Sequence, residues 1–241
     1  MISTPGYCKF SAWKRETELQ KQPFSTLLLS SISSQPPDKL WLKDQTTGRS
    51  ENYGDVGRHV SNLEAGLVKL GVKTGSVVCM WCSNYVEYWL LCLAVWNLGA
   101  TILPINCLTN TERLQEQLRE TSTSVLVCDS FNVDQGMNMV GLVESVEQVL
   151  LINQESHEDV VTVHSLMETE AESRKISTFN KFDWDKTPIL MMYTTRCGES
   201  KIVKHTNKSM TAQVFSPKGT SNHWFDQVTM MTTKYYFTHF I

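Results

Sequence analysis

The sequence lacks the clustered basic residues with which proteins hold nucleic acid or anionic membranes. Its 241 residues have a formal net charge of -3 and a sequence pI near 6.1, and Lys and Arg form no run. Composition therefore gives no reason to expect either kind of partner. The length is sufficient for a sizeable buried core, in a chain between one and two domains.

We also expect no secretory signal, because the first residues of the sequence show no charged start followed by an apolar core. Its longest apolar stretch, residues 85–105, approaches membrane-spanning length but is interrupted by polar and helix-ending residues, namely Glu87, Asn97, Gly99 and Pro104. A helix that ends near the glycine, followed by a short buried strand, accounts for this stretch better than a bilayer span does. We therefore expect a cytoplasmic protein without an integral membrane segment.

A disulfide framework is absent as well, because the seven cysteines are an odd number and are scattered through apolar segments. This usage is typical of a reducing compartment. Cys79 and Cys82 form a CxxC, but they continue the apolar run that begins at Val77, which indicates a buried strand. A redox pair needs an exposed helix N-terminus to lower the pKa of one thiol. We therefore expect the pair to be inert and do not favour a thiol oxidoreductase.

What is present is an alternation of helix and strand patterns after the first fifty or so residues. Apolar residues recur at spacings of three and four on one predicted helix: Val56, Val60, Leu63, Leu67 and Leu70. Continuous apolar runs, typical of strands covered on both faces, alternate with further helices. The predicted order is strand 77–81, helix 86–98, strand 101–104, a helix through Glu120 that begins with a Thr109 to Glu112 capping box, strand 125–128, another helix, and strand 149–152. Because right-handed crossovers place helices on both faces, this order predicts an α/β fold with a doubly wound parallel sheet.

Residues 157–183 are polar and predict a solvated helix or loop. Three carboxylates in this stretch, Glu168, Glu170 and Glu172, alternate at i, i+2 and so do not share one helical face. We therefore expect no metal site there.

The most informative stretch is ILMMYTTRCGESKIVKHTN, residues 189–207. An apolar strand leads into a loop, and a basic strand with His205 follows it. The loop offers two hydroxyls, a glycine and an ammonium group, from Thr194, Thr195, Gly198 and Lys201. Small residues let backbone N–H groups approach an anion closely, hydroxyls add donors, and lysine adds a compact positive charge. The natural ligand of such a loop is a nucleotide phosphate.

This loop resembles the phosphate-binding loop of the adenylate-forming superfamily, which includes acyl-CoA synthetases, 4-coumarate-CoA ligases and firefly luciferase. The family pattern reads, in order, two Ser or Thr, Gly, Ser or Thr, Thr, Gly, any residue, Pro and Lys. The four residues named above match its opening pair, its later glycine and its closing lysine. Arg196 replaces the first glycine, Ser200 replaces the proline, and one residue of the pattern is missing.

The resemblance extends over most of the chain. Segments that look like family motifs occur in the family's order: TGRSENY at 47–53, LGVKTGSVV at 70–78, Asn84 with Glu87, GATILPIN at 99–106, Thr109 with Glu112, and HTN at 205–207. The resemblance implies the N-terminal portion of the large domain of an adenylate-forming enzyme. Residues 1–180 would be an N-terminal α/β subdomain with a leading segment, and residues 181–241 the start of a truncated phosphate-loop subdomain.

The resemblance implies a two-step ligase that uses ATP, Mg²⁺ and CoA. A fatty or aryl carboxylic acid attacks the α-phosphate of ATP, and the CoA thiolate then displaces AMP from the acyl-adenylate. By similarity, the residues that would line the β- and γ-phosphates are Thr194, Thr195, Gly198 and Lys201. Arg196 would either pair with a phosphate or block the site. His239 would either stand for the family's active-site histidine or be a solvated residue of a terminal aromatic strand.

The family's adenine-binding segment, Mg²⁺ ligand and catalytic lysine would all lie beyond Ile241, so we expect no catalytic residue in this chain. Two hypotheses follow. The chain is a truncated or degenerate acyl-CoA synthetase that does not form acyl-adenylate by itself, or it is a non-catalytic α/β module of that ancestry that binds a partner or dimerises. An exposed truncated edge would favour self-association. Many family members have a peroxisomal C-terminal address, whereas residues 239–241 do not form one.

Overall fold

The computed structural model describes residues 22–153, 157, 160–169, 183, 186–196 and 199–214. The elements follow in the order α1 (Phe24–Ser33), β1 (Leu40–Lys43), β2 (Ser50–Asn52), α2 (Tyr53–Lys69), β3 (Val77–Trp81), α3 (Val86–Asn97), β4 (Thr101–Pro104), α4 (Thr111–Thr121), β5 (Val125–Cys128), α5 (Val133–Leu142), β6 (Gln148–Leu151), β7 (Val161–Thr162), α6 (Val163–Glu168), β8 (Pro188–Arg196), β9 (Glu199–Thr206) and α7 (Asn207–Val214). β1 and β2 form a separate hairpin, and the other strands form one seven-stranded sheet.

The seven-stranded sheet has the order β7-β6-β5-β3-β4-β8-β9. Every neighbouring pair is parallel except β8 with β9. The chain runs outward from β3 to β4 and then crosses back, so that β5 lies on the opposite side of β3. This reversal confirms the predicted doubly wound sheet. It also places the topological switch point between the carboxyl ends of β3 and β5.

Two apolar layers cover this sheet. One layer is formed with α1, α2, α3 and α6, and the other with α4 and α5. Alternate residues of β3 face the two layers, Met80 toward the first and Cys79 and Trp81 toward the second. Because both faces are covered, β3 to β6 are mainly apolar, and their predicted positions agree with the observed bounds to within one residue.

The start of α4 differs from the predicted capping box. The N-cap is Asn110, whose side chain accepts a hydrogen bond from the backbone N of Arg113 at 2.9 Å. Thr109 instead donates its backbone N–H to the carbonyl of Asn106 in the preceding turn. Asn is a stronger N-cap than Thr. The helix therefore begins one residue later than the Thr109 to Glu112 spacing predicts.

Part of the stretch predicted to be solvated is buried, so that expectation is wrong for α6. Val163 and Met167 lie in the first apolar layer, and the carbonyl of Met167 accepts a hydrogen bond from Asn62 Nδ2 on α2 at 2.6 Å. Gly66 lets α2 approach this helix closely, because a Cβ there would come within 2.8 Å of a Leu166 methyl carbon. The i, i+4 spacing of Val163 and Met167 was the available signal.

Candidate functional site

The segment predicted to bind phosphate forms an antiparallel hairpin, β8 and β9, at one side of the described sheet. Two side chains hold its base. Trp96 Nε1 donates to the carbonyl of Ile189 at 2.8 Å, and Thr101 Oγ1 donates to the carbonyl of Pro188 at 2.7 Å. Since β8 also pairs with β4, the base of the hairpin is part of the main sheet. The boundary between two subdomains at residue 180 stays a prediction.

The ladder of this hairpin continues as far as the pair of Arg196 and Glu199. Thr194 lies opposite Lys201 in the same register. The structure thus places Thr194, Thr195 and Arg196 in a strand rather than in the expected loop. Hydroxyl residues favour loops, but threonine is also β-branched and suits a strand, so the strand continues until two residues remain between the two arms.

Thr194 and Lys201 are the two predicted site residues whose side chains the structure brings together. Both side chains are exposed, and both residues project to the sheet face that Leu190 and Met192 share with the first apolar layer. The two side chains therefore project from directly opposed positions on one sheet face near the end of the hairpin.

The other predicted site residues are described in part. Thr195 and Arg196 have their backbones in β8, next to Thr194. Gly198 and His239 lie outside the described residues. The described part of the candidate site is thus the facing pair of Thr194 and Lys201, with the backbone that supports it.

Tyr193 fastens the hairpin to α4 immediately before Thr194, a contact that the motifs do not indicate. Its hydroxyl donates to Glu120 Oε2 at 2.8 Å, and the guanidinium carbon of Arg113 lies 5.9 Å from the centre of its ring. Burial, together with the hydrogen bond to Glu120, raises the pKa of Tyr193, so the phenol remains a donor. The sequence signal for this contact was the spacing of two residues between Met191 and Tyr193. In a strand this spacing places both side chains on one face, here the face covered by the second apolar layer with α4.

Asn207, the first residue of α7, connects the end of the hairpin to α1. Its Oδ1 accepts a hydrogen bond from the backbone N of Phe24 at 2.8 Å, across 183 positions of sequence. The N-cap residue of α1 is Pro23, which makes no side-chain capping hydrogen bond. Asn207 therefore satisfies one of the backbone donors that a helix N-terminus leaves unpaired.

Residues 30–241 match the family model described as AMP-binding enzyme. The chain belongs to the AMP-binding enzyme family. The resemblance drawn from the motifs is therefore confirmed over most of the sequence. As a member of this family it is related to enzymes that use ATP and CoA.

Two plant proteins are among the relatives of this AMP-binding family chain. It is 24% identical over 219 residues to the peroxisomal OPC-8:0-CoA ligase 1 of Arabidopsis thaliana. The matched region covers 88% of this chain and 39% of that protein. It is 26% identical over 218 residues to the probable CoA ligase CCL5 of Humulus lupulus, with coverage of 87% and 38%. The chain thus spans about two fifths of the length of these relatives.

Solved structures of adenylate-forming enzymes share the fold. The luciferase-like enzyme of the mealworm Zophobas morio superposes with a TM-score of 0.70 at 16% identity, covering 83% of this chain and 46% of that one. The anthranilate CoA ligase AuaEII, solved in complex with anthranoyl-AMP, superposes with a TM-score of 0.67 at 17% identity. This match covers 79% of this chain and 36% of that one. The chain therefore has the α/β architecture of the N-terminal domain of these enzymes.

Two family motifs of this AMP-binding family chain meet in a structural contact. Arg49 Nε lies 2.7 Å from Glu87 Oε1, and the Glu87 side chain is 2% exposed. Both terminal nitrogens of Arg49 lie 3.3 Å from His164 Nδ1. Because guanidinium only donates, His164 Nδ1 accepts, and its Nε2 donates toward Glu168. These residues hold the β1–β2 hairpin against α3 and α6.

Across the part of the chain that the structure describes, no group of three or more His, Cys, Asp or Glu side chains could hold a metal ion. No helix in the described ranges is long and apolar enough to cross a membrane. The apolar stretch of residues 85–105 forms α3 and β4, as its interrupted pattern predicts.

Asn207→Ala should lower the free energy of unfolding by about 1–2 kcal/mol, because it leaves the buried N–H of Phe24 without an acceptor. Asn207→Asp retains an acceptor oxygen and should recover part of the loss. Urea denaturation of the purified variants measures both changes. Asn138→Ala, at an exposed position of α5, is the matched control and should change stability by less than about 0.5 kcal/mol. Equal losses at the two positions would contradict the capping role.

The thiols of Cys79 and Cys82 should resist alkylation in the native protein at neutral pH. Cys79 is 0% and Cys82 7% exposed, and burial raises the pKa of both thiols well above the ordinary value. The two residues also belong to opposite apolar layers. Among the described cysteines, the partly exposed Cys107 should react first. Mass spectrometry of iodoacetamide adducts tests this order, and a disulfide between Cys79 and Cys82 in protein purified without oxidant would contradict it.

Proposed function

We propose that this chain corresponds to the N-terminal part of an acyl-CoA ligase, that its hairpin binds ATP weakly, and that it does not form acyl-adenylate by itself. The register of β8 and β9 supports this proposal most directly, because two residues separate Arg196 from Glu199. The parent activity would be the ATP- and Mg²⁺-dependent joining of a fatty or aryl carboxylic acid to CoA. We propose a cytoplasmic location for the protein.

In the described arms of the hairpin, the backbone N–H groups that pair β8 with β9 are not available to an anion. A phosphate cradle needs several N–H groups that point toward one ligand. In an antiparallel ladder, each hydrogen-bonded pair exchanges both N–H···O bonds between the strands, so those donors are already used. A longer family loop would release them. Each hydrogen bond to a charged group contributes about 1.5–3 kcal/mol, so the loss of even one donor weakens phosphate binding considerably.

Thr194 and Lys201 fit a single phosphate group. One supplies an O–H donor and the other a charged N–H donor, from directly opposed positions. Adenylation requires more, since its catalysis consists mainly of neutralising and positioning several phosphates, and the described residues contain no cluster that could hold Mg²⁺. Attraction of a phosphate without adenylation is therefore the expected behaviour.

Arg196 occupies the position of the family's first glycine without backbone strain. It lies in β8, and among the described non-glycine residues only Ser122 has a positive φ. A strand position does not need the conformational freedom of glycine. The guanidinium of Arg196 would either contact a phosphate or obstruct one. Arg196→Gly distinguishes these alternatives, because it should lower the affinity for ATP in the first case and raise it in the second.

Purified chain should release no pyrophosphate from ATP and Mg²⁺ with a panel of fatty and aryl acids, beyond the level of its Lys201→Ala variant. ATP itself should bind with a Kd of about 1 mM or weaker. Lys201→Ala should weaken that binding further, whereas Lys204→Ala, at an exposed position projecting to the other face of β9, should not. Calorimetric titration measures the affinities. Pyrophosphate release above the Lys201→Ala level would overturn the proposal.

A variant with the family's loop length tests why ATP binds weakly. It distinguishes a phosphate site weakened by a shortened loop from a chain that has no phosphate site. Replacing residues 196–200, RCGES, with GTTGEP recreates the family pattern between Thr195 and Lys201. We expect the affinity for ATP to rise at least about tenfold, because donors held in the ladder become available. Lys201→Ala should cancel that gain. A restored loop that still does not bind ATP would favour the alternative of a non-catalytic binding or dimerising module.

A further inference from the structure

β9 forms one edge of the seven-stranded sheet. It has eight residues, and its inner side pairs with β8 from His205 to Glu199. Among the residues that the structure describes, no strand pairs with its other side. An edge strand directs alternate backbone N–H and C=O groups away from its sheet, where they can pair with a further strand. We call this side the outer edge of β9.

The two edges of the sheet differ in how they are protected against such pairing. The opposite edge is β7, which has two residues and is followed at once by α6. A very short edge strand is one device by which proteins prevent pairing between sheets. β9 is longer and contains no proline, and its register shift with β8 lies at its C-terminal end, next to His205. Its protection is the charge of Lys201 and Lys204, so a partner strand must accommodate these two lysines.

The side chains along the outer edge of β9 are accessible. Lys201 and Lys204 are exposed, and Val203 is 40% exposed. The chain that follows β9 turns toward the first apolar layer, since Asn207 accepts the hydrogen bond from the backbone N of Phe24 on α1. The described part of the chain therefore leaves this edge open to a further strand.

A second copy of the chain fits this edge about a two-fold axis. The axis is normal to the sheet, so the two strands run antiparallel and directly opposed residues project to the same sheet face. Because side chains alternate between the faces, opposed positions must both be odd or both be even. Two registers satisfy this condition and pair the most residues. One uses residues 199–205 and is centred on Ile202, and the other uses residues 200–206 and is centred on Val203.

Charge distinguishes the two registers. The register centred on Val203 places Lys201 opposite His205 on both sides of the axis. The register centred on Ile202 places every basic residue opposite a neutral or acidic one, namely Lys201 opposite Val203, Lys204 opposite Ser200 and His205 opposite Glu199. Like charges directly opposite each other destabilise a strand pair, and opposite charges stabilise it. The register centred on Ile202 is therefore the self-complementary one.

One like-charge contact remains in this register. The two Lys201 residues lie diagonally across the axis, about 7–8 Å apart. Their side chains are exposed, so water and salt screen the repulsion. Both project to the face of Thr194, so that pairing brings a second lysine to the face proposed to hold a phosphate.

We propose that the chain forms a symmetric dimer in which β9 pairs antiparallel with β9 of a second copy, with Ile202 on the two-fold axis. Backbone N–H and C=O groups of the two outer edges form the pairing, and the two sheets become continuous. ATP takes no part in this pairing, so the dimer forms whether or not the hairpin binds phosphate.

Sedimentation of the purified chain over a range of concentrations tests whether a dimer forms. We expect an equilibrium between monomer and dimer, without larger species, because a two-fold pair uses the outer edge of β9 in both copies and leaves none open. A chain that remains monomeric at every concentration would overturn the proposal.

Ser200→Cys and Lys204→Cys test the register at two exposed positions. Directly opposed residues of an antiparallel pair have Cα atoms about 4.5–5.5 Å apart, within reach of a disulfide. A mixture of the two variants, oxidised with copper phenanthroline, should therefore form a disulfide between the two substituted positions. Neither variant alone should do so, because its own substituted positions lie about 13 Å apart along the strands.

Peptide mass spectrometry identifies this disulfide, and the unmodified chain treated in the same way gives the background from its native cysteines. A dimer in which the mixed disulfide does not form above that background would place the interface elsewhere and overturn the proposal.

Ser200→Glu and Ser200→Lys change one exposed position to opposite charges. Each new side chain faces Lys204 of the second copy, twice in a dimer, so we expect Ser200→Lys to dimerise at least about tenfold more weakly than Ser200→Glu. Asn138→Glu and Asn138→Lys, on the exposed surface of α5, change the net charge equally and should dimerise alike. Equal dimer affinities of the two Ser200 variants would contradict the register.

Lys201→Ala separates this proposal from that of ATP binding. It should weaken the binding of ATP, whereas the dimer should tighten by up to about threefold, because the diagonal pair of lysines is removed. Loss of the dimer in Lys201→Ala would overturn the proposed pairing and leave the proposal on ATP unaffected. An unchanged affinity for ATP with a retained dimer would do the reverse.

Discussion

Arg49→Ala is expected to lower the free energy of unfolding at neutral pH by about 3–5 kcal/mol, because it leaves the carboxylate of Glu87 buried without its cation. The Arg49 side chain is 21% exposed and that of Glu87 is 2% exposed, so water replaces little of the lost contact. The same substitution removes the guanidinium N–H groups from which His164 Nδ1 accepts hydrogen bonds. The β1–β2 hairpin, α3 and α6 therefore lose the side chain that connects them.

Arg58→Ala is the matched control for Arg49→Ala. Arg58 pairs with Asp55 on the surface of α2, where the two side chains are 59% and 48% exposed. Exposed pairs contribute about 0–1 kcal/mol, so this substitution should have a small effect. Chemical denaturation of both variants measures the difference. Similar losses at Arg49 and Arg58 would show that the Glu87 pair is not a buried charge pair in solution.

The effect of Arg49→Ala should depend on pH in a specific direction. Burial raises the pKa of Glu87, and the charge of Arg49 opposes that rise, so the pKa rises further in the variant. A carboxyl group whose pKa is higher in the folded than in the unfolded state makes the protein less stable as pH increases. The loss should therefore be smaller near the ordinary carboxyl pKa, at about pH 4, than at neutral pH. Adding Glu87→Gln to Arg49→Ala should recover part of the neutral-pH loss.

The central strands can be predicted from sequence because burial on both faces determines their composition. Apart from residues at the ends of β4 and β6, every residue of β3, β4, β5 and β6 belongs to one of the two apolar layers, so each strand has an apolar centre. The phosphate hairpin lacks this property. Thr194 and Thr195 suit a strand and a loop equally, and only the ladder to β9 determines which one forms.

Contacts between distant motifs cannot be predicted in the same way. Arg49 and Glu87 each match a family motif, but sequence does not indicate that the two side chains form one ion pair. Asn207 likewise matches a motif at the end of the hairpin, while its partner is the first turn of α1. The sequence order of the motifs therefore identifies the family, whereas tertiary contacts show which motif residues support the fold and which are left for a ligand.

Gly136→Ala should be the second most damaging of these substitutions, with a loss of about 3 kcal/mol, at the upper end of what overpacking a core produces. Gly136 lies on α5 against β5, and a Cβ there would overlap Cys128 Sγ and approach Leu126 Cδ2 at 3.6 Å. Cys128 is fully buried in a central strand, so it cannot move aside without displacing its neighbours. The loss should appear in the denaturation midpoint.

Gly141→Ala provides the control within the same helix. No heavy atom lies within 4 Å of the Cβ that this substitution would add, so it should be neutral or stabilise the helix by up to about 1 kcal/mol. The opposite outcomes at Gly136 and Gly141 separate the contact with Cys128 from the general effect of replacing glycine in a helix. Equal outcomes would mean that α5 shifts away from the sheet at little cost.

Cys128→Ala should rescue Gly136→Ala, because it removes the sulfur atom that the new methyl group would overlap. Alone, Cys128→Ala should destabilise the protein, since it leaves a small cavity under α5. Combined with Gly136→Ala, the added methyl group occupies that space, so the double variant should be more stable than Gly136→Ala alone. A double-mutant cycle of unfolding free energies measures this coupling. Additive losses would show that the close approach of α5 to β5 at Cys128 does not limit packing there.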